Sequence, residues 1–158
     1  MKQLHESILA HIDSCRSSVI ATTDSSGHPH TSYAPYVRSD SCYYILISDA
    51  ATHTRNLRNT PACALLFIED ESSCEQLFAR KRVSMQCSAR EIPREDPAFE
   101  NKTSLMQERL GDMVSMLKQM ADFRLFELTP LRGEAVFGFG EAYTFEADVQ
   151  NVTAKRIG

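Results

Sequence analysis

The chain has 158 residues, enough for one domain with a sizeable core and too few for two. Its composition, 42% hydrophobic and 24% charged, is typical of a globular protein. A net charge of −4 at pH 7 argues against a general binder of nucleic acid or anionic membranes, so any anion site must come from a local basic cluster.

Neither a targeting segment nor a cysteine framework is indicated. Residues 1–15 lack the basic stretch, unbroken apolar run and cleavage site of a signal peptide, and no segment approaches the ~18 apolar residues of a membrane helix. The five cysteines form no C-x-x-C pair, which predicts neither a disulfide framework nor a zinc site. We therefore expect a cytoplasmic protein with free thiols and with no metal, membrane or nucleic-acid partner.

The first half of the chain predicts a helix followed by a meander of strands. Leu4, Ile8 and Ile12 recur at a spacing of four, which predicts an amphipathic helix over residues 1–15. A second, short helix is expected at 50–59, ending before Pro61. Strands are predicted at residues 18–23, 30–37, 42–47, 62–68 and 82–91.

The second half predicts one long helix and two strands. Apolar residues at spacings of three and four predict a helix over 98–120, and we interpret its apolar stripe as core packing. Strands are expected at 123–128 and 135–145, linked by residues 129–133, and the tail 146–158 shows little periodicity. The sum is a single α+β domain over 1–158, an antiparallel β-barrel of six or seven strands with helices.

Residues 48–57 leave a buried strand and enter the short helix. The segment offers free backbone N–H groups together with Ser48, His53, Thr54 and Arg55. Such a helix start suits a phosphate group. An ordinary capped helix with a solvated arginine explains the same residues equally well.

Three cations, Arg80, Lys81 and Arg82, begin a strand in an otherwise acidic chain. Strand alternation places Arg80 and Arg82 on one face, where an arginine pair can bind a phosphate. A charged strand edge that blocks aggregation is the simpler interpretation of this cluster taken alone.

The strand at 31–36 contains a proline, Pro35, which indicates an edge or an irregular stretch with free backbone groups. Its tyrosines, Tyr33 and Tyr36, can wall a flat ring system or fill the core. The sequence has no G-x-S-x-G, Walker or H-E-x-x-H motif, and His28 and His30 share a strand face without an evident third metal ligand.

Seven segments, taken in order, carry a resemblance to a known family. They are ATTD…GHP at 21–29, SYAPY at 32–36, LIS…HTRNL at 46–57, IEDE at 68–71, QLFARKR at 76–82, DFRLF at 122–126 and GFGEAY at 138–143. Together they resemble the pyridoxamine-5'-phosphate-oxidase-like split-barrel family, specifically its haem-utilisation branch. The order and spacing of the segments are more specific than any one of them.

The resemblance implies an antiparallel split barrel that forms a homodimer, with two equivalent FMN sites at the subunit interface and a small-molecule substrate. It places Ser48, His53, Thr54 and Arg55 near the flavin phosphate, Arg80 and Arg82 in the same anionic pocket, and Tyr33, Ala34 and Pro35 along the isoalloxazine ring. The leading expectation is an FMN-binding oxidoreductase in which the flavin supplies the redox chemistry.

Two alternatives follow from the same resemblance. In the haem-degrading branch, a histidine of a C-terminal loop binds the iron and an aspartate of the partner subunit supports it. Asp122 matches the aspartate, but no histidine follows His53 in this sequence. The first alternative is therefore haem binding or degradation with an untypical ligand. The second is a flavin carrier or sensor without turnover.

Overall fold

The computed structural model describes residues 2–155 and contains four α-helices, two short 3-10 helices and nine strands within that range. The α-helices are α1 (Lys2–Ser14), α2 (Thr52–Asn59), α3 (Pro97–Leu110) and α4 (Met113–Leu117). The strands are β1 (Ser17–Thr23), β2 (Pro29–Pro35), β3 (Val37–Ser39), β4 (Cys42–Ser48), β5 (Ala62–Ile68), β6 (Arg82–Ile92), β7 (Phe123–Gly138), β8 (Glu141–Glu146) and β9 (Gln150–Ala154).

All strand pairs are antiparallel, as predicted, and form one sheet in the order β2-β1-β5-β6-β7-β4-β3, with β8 and β9 continuing from β7. The sheet curls until β2 contacts β4. No hydrogen-bond ladder joins these two strands within residues 2–155. The barrel is therefore split along the β2–β4 seam.

The barrel interior is aromatic and is covered at one end by α1. The ring centroids of Tyr36 and Tyr43 lie 5.1 and 5.4 Å from that of Phe67. The Tyr36 hydroxyl donates to the Ile12 carbonyl at 2.6 Å, which fixes α1 against the barrel. Ile8 and Ile12 are completely buried, so the spacing of four in this helix is a packing pattern, as predicted.

A second core lies outside the barrel, where α3 and α4 cover β4 and β7. Phe99, Met106 and Val114 of the helices pack with Leu46 and Leu125 of the strands. Because β4 is buried on both faces, its residues read as a continuous apolar run without alternation. None of the helices within 2–155 is long and apolar enough to cross a membrane.

The prediction of one continuous helix over 98–120 is wrong, because the structure has two helices there. Helix α3 ends at Leu110 because Gly111 adopts φ +100°, a conformation open to glycine and strained for other residues. The chain then begins a separate helix, α4, of five residues. Apolar periodicity continues across the break, which is why the pattern alone did not reveal it.

The predicted link at 129–133 is also wrong, since β7 runs unbroken through it for 16 residues. Opposite Gln86 and Cys87 the register shifts, so that Arg132 and Pro130 are paired and Leu131 is the extra residue of a bulge. A proline is tolerated in the interior strand at this irregularity. The expected six or seven strands become nine through the splitting of predicted segments and the addition of β9.

Strand β9 lies in the tail, where the sequence showed little periodicity. The tight β8–β9 connection places Ala147, Val149 and Asn151 at positive φ. Between them, the buried carboxylate of Asp148 accepts hydrogen bonds from Arg38 Nε at 2.8 Å and from the Tyr43 hydroxyl at 2.9 Å. This long-range polar contact, together with the burial of Val149 and Val152 in the barrel core, attaches the tail to the barrel.

Candidate functional site

A cleft of about 370 Å³ lies along the seam between β2 and β4. Its volume is near the lower end of the ~300–1,000 Å³ found for small-molecule sites. We call it the seam cleft. It is lined by Tyr33, Ala34, Pro35, Leu46, Ile47, Ser48, Ala51, His53, Met106, Leu110, Met113, Val114, Leu117 and Phe123.

The walls of the seam cleft are mostly apolar. Strands β2 and β4, the start of α2, helices α3 and α4 and the first residue of β7 contribute most of the lining residues. Ser48, His53 and the Tyr33 hydroxyl supply the polar side-chain groups, and no lining residue carries a fixed positive charge. Such a surface suits a flat apolar ligand with few polar contacts.

His53 lies in the first turn of α2 and is 8% exposed. Its Nδ1 shares a 2.7 Å hydrogen bond with the Ser32 hydroxyl, and Nε2 has no hydrogen-bond partner within residues 2–155. Burial, with a smaller contribution from the nearby His30, lowers the pKa of His53 below its ordinary value of 6.5. The ring is therefore neutral at pH 7, and Nε2 presents a lone pair whenever Nδ1 donates to Ser32.

The position of His53 follows from how α2 is attached to the end of β4. The Thr54 hydroxyl donates to the Ser48 carbonyl at 2.5 Å, and the Ser48 hydroxyl accepts from the Ala50 N–H at 3.2 Å. Asn56 Nδ2 donates to Thr22 of β1 at 3.0 Å, which anchors the opposite side of the helix. Thr54 is fully buried, so its hydroxyl holds the helix in place and does not line the cleft.

The arginines near α2 differ in the hydrogen bonds and ion pairs that they form. Arg55 is exposed and forms no hydrogen bond or ion pair with the residues described here. Arg58 contacts both Asp49 and Glu91 at 3.1 Å, and Arg124 contacts Asp49 at 3.2 Å. The Arg124 contact lowers the pKa of the Asp49 carboxyl. The sequence reasoning missed this network because its members are far apart in the chain.

The basic cluster at the start of β6 lies apart from the seam cleft of the same chain. Arg80 donates to the Glu69 carbonyl through Nε at 3.2 Å and Nη2 at 2.5 Å, and Arg82 donates to the Arg80 carbonyl at 2.9 Å. Neither arginine lines the cleft. The anionic pocket expected from Arg80, Arg82 and α2 is thus not assembled within one chain.

The structure consequently divides the predicted site residues. Five of the nine line the seam cleft: Tyr33, Ala34, Pro35, Ser48 and His53. Asp122, the residue matched to the haem-related aspartate, is exposed, and its main-chain carbonyl accepts from the Asp49 N–H at 2.7 Å. It directly precedes Phe123, which lines the cleft.

The helical wall of the cleft is the part that sequence reasoning missed. The apolar stripe of residues 98–120 was interpreted as core packing, which holds for the buried Met106 and Val114, although both also line the cleft. Leu110, Met113 and Leu117 of the same stripe face the cleft, and Met113 is 58% exposed. The signal available in the sequence was three methionines on one short segment, Met113, Met116 and Met120. All three are exposed in the structure.

Comparison with known proteins assigns the family. Residues 4–137 match the family model described as pyridoxamine 5'-phosphate oxidase. The chain belongs to this family. The split-barrel expectation is confirmed, and the relatives below confirm its haem-utilisation branch.

A curated relative, the haem oxygenase HutZ of Vibrio cholerae, is 41% identical over 129 residues, which cover 82% of this chain and 73% of HutZ. A crystal structure of Vibrio cholerae HutZ, described as a haem storage protein, superposes with a TM-score of 0.81 at 35% identity, covering 85% of this chain and 96% of that one. Campylobacter jejuni ChuZ superposes with a TM-score of 0.88 at 28% identity. That match covers 98% of this chain, which spans 63% of the ChuZ chain.

Proposed function

We propose that this protein binds haem in the seam cleft and serves in haem utilisation. The observation that carries the proposal is a buried, neutral histidine, His53, whose Nε2 is uncommitted and which lines a largely apolar cleft. The names of its relatives differ between haem oxygenase and haem storage protein, so haem binding is the property they share.

The residues of the seam cleft fit haem. A porphyrin is flat and mainly apolar, and Leu46, Leu110 and Leu117 offer apolar contacts that exclude water. A neutral imidazole is a common ligand of haem iron, and the iron supplies redox and oxygen chemistry when haem is bound. Ser32 fixes the orientation of the His53 ring, as hydrogen-bonded neighbours do for metal-binding histidines.

His53 is assigned this role by its position in the wall of the cleft. It is the one histidine among residues 2–155 that lines the cleft.

A second subunit would complete the site. The support is an exposed apolar strip on the outer sheet face, where Val19 of β1 and Tyr33 of β2 are cross-strand partners with 37% and 67% exposure. Tyr33 also lines the cleft, so this strip and the cleft are continuous. Arg80 and Arg82 of the partner subunit would then pair with the haem propionates at the rim of the cleft.

FMN is the second candidate, favoured by the family model and with it the expected flavin oxidoreductase activity. Its terminal phosphate carries up to two negative charges and needs cations close to the ligand. Since no cation lines the cleft of one chain, FMN would depend on exposed Arg55 and on the partner subunit. This requirement places FMN behind haem, whose carboxylates can lie at a solvent-exposed rim.

The test is a titration of the purified protein with haemin and with FMN, followed by absorbance. We expect a saturable Soret band with haemin and weaker binding of FMN. His53→Ala should weaken haemin binding about tenfold or more, and added imidazole should restore the band. His30→Ala is the control, because His30 lies near His53 but does not line the cleft. Equal haemin spectra and affinities for wild type and His53→Ala would refute the role of His53.

A further inference from the structure

Helix α4 is a small, separately hinged part of the seam-cleft wall. It contributes Met113, Val114 and Leu117 to the lining. At its N-terminal side lies Gly111, with φ +100° and no neighbouring atom within 4 Å of a built Cβ position. A helix of five residues has little stability of its own. Its position therefore depends on the contacts that hold it.

Arg94 makes the principal polar contacts that hold the end of α4. Its guanidinium donates to the main-chain carbonyls of Lys118, of Met120 at 2.5 Å and of Phe123 at 2.9 Å. It also lies over the Phe99 ring of α3, 5.0 Å from the ring centroid. One exposed side chain thus joins α3, the turn after α4 and the first residue of β7.

The remaining contacts of α4 are limited. Lys118 Nζ contacts Glu100 of α3 at 2.9 Å, and Val114 is the one residue of α4 that is buried. Met113 and Met116 are more than half exposed. Opening α4 would therefore break mainly the Arg94 and Lys118 contacts and expose one valine and part of Leu117. Segments with few buried apolar contacts open locally at low free-energy cost.

We propose that α4 is the gate of the seam cleft, that it turns about Gly111, and that Arg94 is its latch. The gate admits a flat apolar ligand between α4 and β4 and closes behind it. Arg94 is a positioning residue, because it contacts the wall and not the cleft. The identity of the ligand as haem rests on the proposed function, whereas the gate itself does not.

The first experiment is amide hydrogen exchange on the ligand-free full chain. Arg94→Ala should accelerate exchange over residues 113–120 about tenfold, the effect of losing one or two net hydrogen bonds, and leave the barrel strands unchanged. Millimolar guanidinium ion should restore the slower exchange. Arg90→Ala is the matched control, since Arg90 is an exposed arginine of β6 that pairs with Glu127 and does not contact α4. Unchanged exchange over 113–120 in Arg94→Ala would overturn the proposal.

The second experiment measures the binding kinetics of haemin and of 1-anilinonaphthalene-8-sulfonate, an amphiphilic dye with an apolar ring system. A released gate raises the association and dissociation rates together, so both should increase about tenfold in Arg94→Ala while Kd changes little. A purely structural loss would raise the dissociation rate alone, and that result would contradict the gate. If haemin fails to bind but the dye and the exchange data behave as expected, the gate stands and the haem proposal fails.

Discussion

At the scale of single residues, the chemistry of the seam cleft depends on the protonation state of His53. Burial lowers the pKa of this ring, so the neutral form that can bind iron is already present at pH 7. Ser32 shares a hydrogen bond with Nδ1, and Nε2 has no hydrogen-bond partner within residues 2–155. The site thus keeps an imidazole neutral by desolvation and oriented by a single hydroxyl group.

This arrangement predicts the pH dependence of haemin affinity. A ligand histidine must lose its proton before it binds, and its pKa lies below 6.5 in the free protein. Affinity should stay constant from pH 8 to about 6.5 and then fall, approaching tenfold per pH unit below the lowered pKa. The measurement is a set of haemin titrations across this range, with His53→Ala giving a flat profile. A wild-type affinity that rises on acidification would contradict the assignment.

Asp148 is a second buried ionisable residue, and we expect it to contribute to the stability of the fold. Its carboxylate is 3% exposed and is bound by Arg38 and Tyr43. Asp148→Asn should reduce the free energy of unfolding by about 3 kcal/mol, because it leaves a half-buried guanidinium without its counter-charge. Glu134→Gln breaks the exposed pair with Lys155 and should cost less than about 1 kcal/mol. Urea denaturation of both variants checks the difference.

At the scale of elements, the sequence predicted those helices and strands that a short-range pattern defines. Short-range periodicity predicted α1 and the strands β1, β2, β4, β5 and β6 close to their observed bounds. It did not predict the break at Gly111, which depends on the backbone conformation of one residue. It also did not predict the unbroken β7, which depends on a bulge. The position of β9 depends in part on Asp148, whose hydrogen-bond partners lie 105 and 110 residues away in the chain.

The residues of the candidate site were likewise predictable only where a local motif marks them. The strand and turn residues of the cleft were found through local motifs, and the resemblance placed them together. The helical wall of the cleft was not predicted, because an apolar stripe has the same sequence pattern whether it faces a core or a cleft. Met113 and Leu117 line the seam cleft, and this is evident only from the tertiary structure.

Gly133 tests the unbroken course of β7. Sequence reasoning placed it in a link, where a side chain would be tolerated. In the structure a Cβ there would lie 2.3 Å from both the Ser84 carbonyl oxygen and the Phe145 ring. Gly133→Ala should therefore destabilise the protein by about 2–3 kcal/mol, the cost of overpacking against a main-chain atom. Glu134→Ala, at the exposed next position, removes the exposed pair with Lys155 and should cost less than about 1 kcal/mol. Equal thermal stability of the two variants would favour a flexible link.

At the scale of the whole molecule, the seam cleft of one chain is open and has no lysine or arginine of residues 2–155 in its lining to pair with an acidic ligand. Val19 and Tyr33 form an exposed apolar strip beside it. Exposed apolar surface that continues into a ligand cleft is typical of an interface at which two subunits share a site. A stable interface buries ~1,200–2,000 Å² in total, so the strip would be the centre of a larger contact.

The expected outcome is a homodimer at micromolar concentration in sedimentation velocity. Val19→Asp should shift the protein to monomer, because it puts a charge at the centre of the apolar strip while the inward-facing residues of β1 stay unchanged. Met116→Asp, an equally drastic change at an exposed position of α4, should remain dimeric. The Val19→Asp monomer should also bind haemin more weakly, since it loses Arg80 and Arg82 of the partner subunit. A monomeric variant that binds haemin as tightly as the wild type would show that one chain forms the whole site, and that the basic cluster at the start of β6 serves another purpose.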